Sequence, residues 1–81
     1  MVLTELPLRA KGRVVNLTAA GTQRRRLLDL GLIPNTILKA VRQSPSGDPT
    51  AYNIRGTILA LRSEETDLIE VEQIKTKEEV I

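Results

Sequence analysis

The sequence has no cysteine and no histidine, and Tyr52 is its single aromatic residue. Each absence removes a class of chemistry. Without thiols there is no disulfide framework, zinc knuckle or iron–sulfur cluster, and without imidazole the commonest metal ligand and proton shuttle is missing. Nucleophilic sites built on Ser-His-Asp or Cys-His go with them. Any metal held by this chain alone would need oxygen ligands, the pattern of hard cations. The apolar runs are short, far from the roughly 20 residues of a membrane-spanning helix, and no signal-peptide pattern is present. The expectation is a soluble protein of a reducing, cytoplasmic compartment, with no catalytic residue, no cofactor and no metal site.

What is present is aliphatic. Leu, Ile and Val supply 25 of the 81 residues. A chain of this length buries roughly 60–65% of its extended surface, near the lower limit for unaided folding, so those residues must form one contiguous core. The net charge is +2. Residues 1–42 carry eight basic residues against Glu5 and Asp29, while residues 43–81 carry four against eight acidic ones. That asymmetry directs attention to an electropositive patch.

Period-2 alternation marks short, half-buried antiparallel strands. It places Val15 and Leu17 on one face of Gly12–Thr18, and Tyr52 and Ile54 on one face of Thr50–Arg55. Leu59 with Leu61, and Ile69 with Val71, follow the same rule. In Thr36–Gln43 the apolar positions Ile37, Leu38, Ala40 and Val41 switch parity, which predicts a bulge or bend. Ser44–Pro49 reads as a polar loop, and Arg55-Gly56 as a tight hairpin turn. Ser63 can cap a short turn through Glu64, Glu65 and Thr66. About five short strands favour a small closed β-barrel, which hides its edges.

One short helix interrupts the strands. Thr22 is a suitable N-cap for Gln23–Leu30, with Gly31 as a left-handed terminator, Leu32 packing back on Leu27, and Pro34 preventing continuation. Pro34-Asn35 suits the centre of a type II turn. On a helical projection Arg24 lies in the apolar stripe of Leu27, Leu28 and Leu30, Arg25 and Asp29 are i, i+4 neighbours, and Arg26 has no local partner. Asp48, Glu64, Glu65 and Asp67 could donate oxygen ligands, but acids in loops and capped turns are ordinarily solvated. Tyr52 reads as core, and Gly31, Gly47 and Gly56 as backbone devices.

The span Gly21–Leu32, followed by Ile33-Pro34-Asn35-Thr36, Ser44–Pro49, Ile54-Arg55-Gly56 and Leu59–Arg62, closely resembles the FeoA family. The likeness runs from about Leu6 to Val71; Asn35 stands where that family usually has glycine. The resemblance implies a mainly β fold, a small SH3-like antiparallel β-barrel with one inserted short α-helix over residues 1–74, leaving a charged, frayed tail over 75–81. It also implies an accessory role in bacterial ferrous-iron transport, through contact with the cytoplasmic side of an FeoB permease. The family carries the general term transition metal ion binding.

The alternative is a small-barrel nucleic-acid-binding or other regulatory module, prompted by the basic first half. A base-stacking platform needs aromatics, so specific nucleic-acid binding is not expected. A protein–protein contact is, with the membrane reached only through the partner. Arg24, Arg26, Leu32, Ile33 and Asn35 are the candidate contact residues. Leu32 or Ile33 would be the exposed apolar anchor and Arg26 a rim charge.

Overall fold

A computed structural model of the chain describes residues 1–75. The alternating runs form five strands: β1 Lys11–Leu17, β2 Ile37–Gln43, β3 Thr50–Ile54, β4 Thr57–Leu61 and β5 Ile69–Ile74. Helix α1, Gly21–Asp29, lies between β1 and β2, and the single turn α2, Ser63–Thr66, between β4 and β5. All strand pairs are antiparallel, in the order β4-β3-β2-β1-β5. The charged tail expected over 75–81 lies, Lys75 apart, outside the described residues.

The expected barrel does not close. The sheet is open, with β4 and β5 as its two edges. Strand direction supplies the reason. Successive antiparallel steps from β4 through β3, β2 and β1 to β5 leave the two edge strands pointing the same way, so closure would need a parallel pair. Parallel neighbours are joined by crossovers of about a dozen residues or more. Here only Arg62–Leu68 joins them, and α2 occupies that link. The β5 edge is covered by the first residues: Val2 bridges Glu70, and the Val71 N–H donates to the Met1 carbonyl at 2.8 Å. The outer edge of β4 has no strand partner among the described residues.

Two irregularities bend the sheet. The β2 register shifts between Ala40 and Arg42, where the sequence parity switches. A second shift falls between Val14 and Asn16 of β1. It corrects the expected face: Val14 and Leu17 are buried, whereas Val15 is 48% exposed. An extra residue in a strand resets the alternation, so a strict period of two fails across it.

The core gathers Leu27, Leu32, Leu38, Ile54, Leu61 and Tyr52 with the buried residues of β1 and β5. Burial pushes the Tyr52 hydroxyl above its ordinary value of 10.0; hydrogen bonding with Thr50 and Thr66 opposes the rise, and the Asp48 charge adds to it. The folded state therefore holds this proton more tightly than the unfolded chain. That contribution to stability is complete below about pH 10 and is lost as pH rises through the folded value. Two outcomes are expected. Tyrosinate absorbance, which reads this residue alone, has its midpoint above that of free tyrosine, and Tyr52→Phe removes part of the alkaline loss of melting temperature.

Helix α1 starts two residues earlier than expected, after extended Ala20 and without a side-chain cap, which places Thr22 inside the first turn. Its end follows the sequence signals. Gly31 takes φ +98°, its N–H donates to the Leu28 carbonyl at 2.9 Å, and the Leu32 N–H donates to that of Leu27 at 3.1 Å. This is a Schellman closure. A Cβ on Gly31 would meet only Ile54 Cγ2 at 3.8 Å and Arg55 Cδ at 3.9 Å, both ordinary contacts. Gly31→Ala therefore tests the left-handed backbone alone. It is expected to lower stability by about 1–2 kcal/mol, read as a lower urea midpoint at unchanged slope. The next turn is also as expected: Asn35 has φ +75°, and the Thr36 N–H donates to the Ile33 carbonyl at 3.1 Å.

Candidate functional site

The structure separates the sequence-based contact residues. The Arg24 Nη1 donates to the Leu17 carbonyl at 3.0 Å, tying α1 to the end of β1. Leu32 is 0% exposed. Its expected exposure is therefore corrected: the Schellman closure turns it inward, into the same core as Leu27. Ile33, the next residue, is 38% exposed. The Asn35 Oδ1 accepts from Arg13 Nη1 at 2.7 Å, and Arg13 in turn pairs with Glu72 of β5. The expected Arg25–Asp29 pair does not form; both side chains are exposed and in the weaker basic-first order. Arg26, without a local partner in the sequence, forms an ion pair with Glu65 of α2.

That pair stands in a groove of about 700 Å³. Thr22, Gln23 and Arg26 of α1 line one side, Arg62, Glu64 and Glu65 the other, with Pro49 and Ala60 completing it. The acids near it have structural work. The Asp48 carboxylate accepts from the Ser63 N–H at 2.9 Å and its hydroxyl at 3.4 Å, and Glu65 Oε1 accepts from the Arg62 N–H at 3.2 Å. They satisfy donors at the start of α2 and complement its positive end. The capping expected of Ser63 thus comes from Asp48 and Glu65. The Glu65 side chain is 12% exposed and that of Arg26 57%, so the carboxylate is a fixed wall and the guanidinium an accessible rim.

Sequence reasoning missed Gln23, Pro49, Ala60 and Arg62. They come from three separate segments, and no local spacing links them. The groove offers both signs of charge, hydrogen-bonding groups and a small apolar surface, which suits a polypeptide. Among the described residues no group of three acids lies close enough to hold a metal ion, and no helix is long and apolar enough to cross a membrane.

The model of the FeoA domain matches residues 1–73. The chain belongs to the FeoA family. The solution structure of the FeoA protein from Chlorobium tepidum is 37% identical with a TM-score of 0.86, over 93% of this chain and 71% of that one. An FeoA-like protein from Clostridium acetobutylicum is 30% identical with a TM-score of 0.86, over 94% and 88%. A Porphyromonas gingivalis protein described as an Fe(2+) transport protein A/Fe(2+) transporter FeoB fusion is 32% identical over 76 residues, which span 94% of this chain and 9% of the fusion. The family resemblance read from Gly21–Arg62 therefore holds across nearly the whole chain.

Proposed function

We propose that this FeoA-family chain is a non-enzymatic accessory protein of bacterial ferrous-iron transport, acting at the cytoplasmic face by docking on an FeoB permease. The observation that carries the reading is the fusion relative, in which the FeoA part and the FeoB transporter share one polypeptide. Fusion makes docking intramolecular and raises the effective concentration of the two surfaces. As separate chains, the same partners must find each other by surface complementarity. Iron is the cargo of that system. This chain, without His or Cys, contributes contact and not ligands.

The α1–α2 groove is the docking surface; of the sequence-based candidates Arg26 lines it, and Ile33 is an exposed apolar residue beyond the end of α1. The test is a titration of detergent-solubilised FeoB with wild-type chain, Ala60→Arg and Ile33→Glu. Ala60 is exposed and lines the groove, so an arginine there fills it without disturbing the core. Association is expected to weaken about tenfold or more, with melting temperature unchanged. Equal binding by Ala60→Arg places the contact elsewhere; no binding by wild type overturns the function itself.

A further inference from the structure

Cross-strand register aligns one row of side chains across the outer face of the sheet. Ile58 stands opposite Asn53, Asn53 opposite Lys39, Lys39 opposite Lys11, and Lys11 opposite Ile74. Directly opposed residues project to the same face, so two lysine side chains leave the sheet as neighbours. Like charges in that position are destabilising. Neither lysine forms a salt bridge among the described residues. One row away the same sheet does neutralise its charge: Ile37 opposes Arg13, Arg13 opposes Glu72, and those two pair. Repulsion is thus retained at one row and cancelled at its neighbour.

A third cation joins the pair. Arg55, in the β3–β4 turn at φ +54°, lines with Lys11 and Lys39 a depression of about 260 Å³ that also includes Ile37, Asn53 and Gly56. Ile37 on the same face is 46% exposed, and Ile58 at the end of the row is 53% exposed. The arrangement is a cationic centre with apolar flanks.

We propose that this face binds an acidic peptide segment of a protein partner, with one carboxylate seated among Lys11, Lys39 and Arg55 and apolar neighbours on Ile37 and Ile58. A carboxylate accepts several hydrogen bonds and suits both ammonium and guanidinium donors. It replaces the Lys11–Lys39 repulsion with attraction. The apolar flanks, the compact cation cluster and the lack of a stacking aromatic favour a peptide over a nucleic-acid backbone. None of these residues lines the α1–α2 groove, so the site is independent of the docking surface described above.

The probe is a short, end-blocked peptide alternating leucine and glutamate, titrated into the full nitrogen-labelled chain at low and at physiological salt. Amide shifts are expected in β1, β2 and the Arg55-Gly56 turn, with affinity falling as salt rises. Lys39→Glu is expected to weaken binding about tenfold, and also to raise the melting temperature, since it turns the repulsive pair into an attractive one. Lys11→Gln should move both readouts the same way, by less. A purely structural lysine would not combine lost binding with gained stability. Unchanged peptide affinity in Lys39→Glu, or lowered stability in both variants, overturns the proposal. So does a response to a thymidine oligonucleotide or to phosphatidylglycerol vesicles with none to the peptide. A severalfold gain in peptide affinity on Glu78→Gln with Glu79→Gln overturns it too, by making the chain's own tail the occupant.

Discussion

Leu32→Glu is expected to leave no folded protein, and Leu32→Ala to remove about 2–5 kcal/mol of stability. Leu32 is 0% exposed and sits in the core cluster with Leu27 and Ile54. Its N–H also completes the Schellman closure. A carboxylate there must either be desolvated or take up a proton at neutral pH, and both are unfavourable by several kcal/mol. A domain of this length has only about 0.05–0.15 kcal/mol of stability per residue, so the charged variant exhausts it. The neighbour provides the control. Ile33→Glu changes an exposed side chain and is expected to shift stability by about 0.5 kcal/mol or less. Circular dichroism and urea unfolding of the two glutamate variants check this directly; a Leu32→Glu chain that unfolds like wild type would contradict the burial.

Reversing charge in the groove is expected to have the largest functional effect short of unfolding. Arg26→Glu removes the counter-ion of Glu65, whose side chain is 12% exposed, and adds a third acid beside Glu64 and Glu65. The loss of stability should be modest, about 1 kcal/mol, because Arg26 is itself mostly solvated. Association with FeoB should fall about tenfold or more, largely through slower association and with altered salt dependence. Adding Glu65→Arg restores an ion pair of opposite polarity, but the lost acceptor of the Arg62 N–H costs about 1 kcal/mol and offsets the gain, so stability stays near that of the single variant. Association should stay weak in the double variant, because the charge pattern facing the partner is inverted. Recovery of FeoB binding in the double variant would instead show that the pair only holds α1 against α2.

These residues also show how far a one-dimensional reading reaches. The end of α1 was legible because its determinants lie within a few residues: Gly31 supplies the positive φ, Leu32 the returning N–H, and Pro34-Asn35 the turn that follows. The β2 bulge was legible as a parity switch in Ile37–Val41. The β1 bulge was not, because Val14 and Val15 are equivalent in pattern and only pairing with β5 decides which turns inward. Leu32 and Ile33 posed the same difficulty. The helix-end pattern packed Leu32 back on Leu27, yet either residue was also a candidate exposed anchor, and the direction of the chain after Gly31 buries Leu32 and exposes Ile33.

The amino-acid inventory by itself determined which chemistry is absent. A chain without Cys or His has no thiolate or imidazole to place, whatever its fold. The local signals determined the helix end and turns, and the ordered motifs from Gly21 to Arg62 indicated the family. Tertiary structure alone decided that the sheet stays open, since that depends on strand directions summed across four pairings and on the short link through α2. It also decided that Arg26 meets Glu65, that Ala60 and Pro49 share a groove with them, and that Lys11 faces Lys39. Local propensities act over a turn or two of chain, whereas register and edge geometry are set by pairings between distant segments, and every surface proposed here for a partner is built from such pairings.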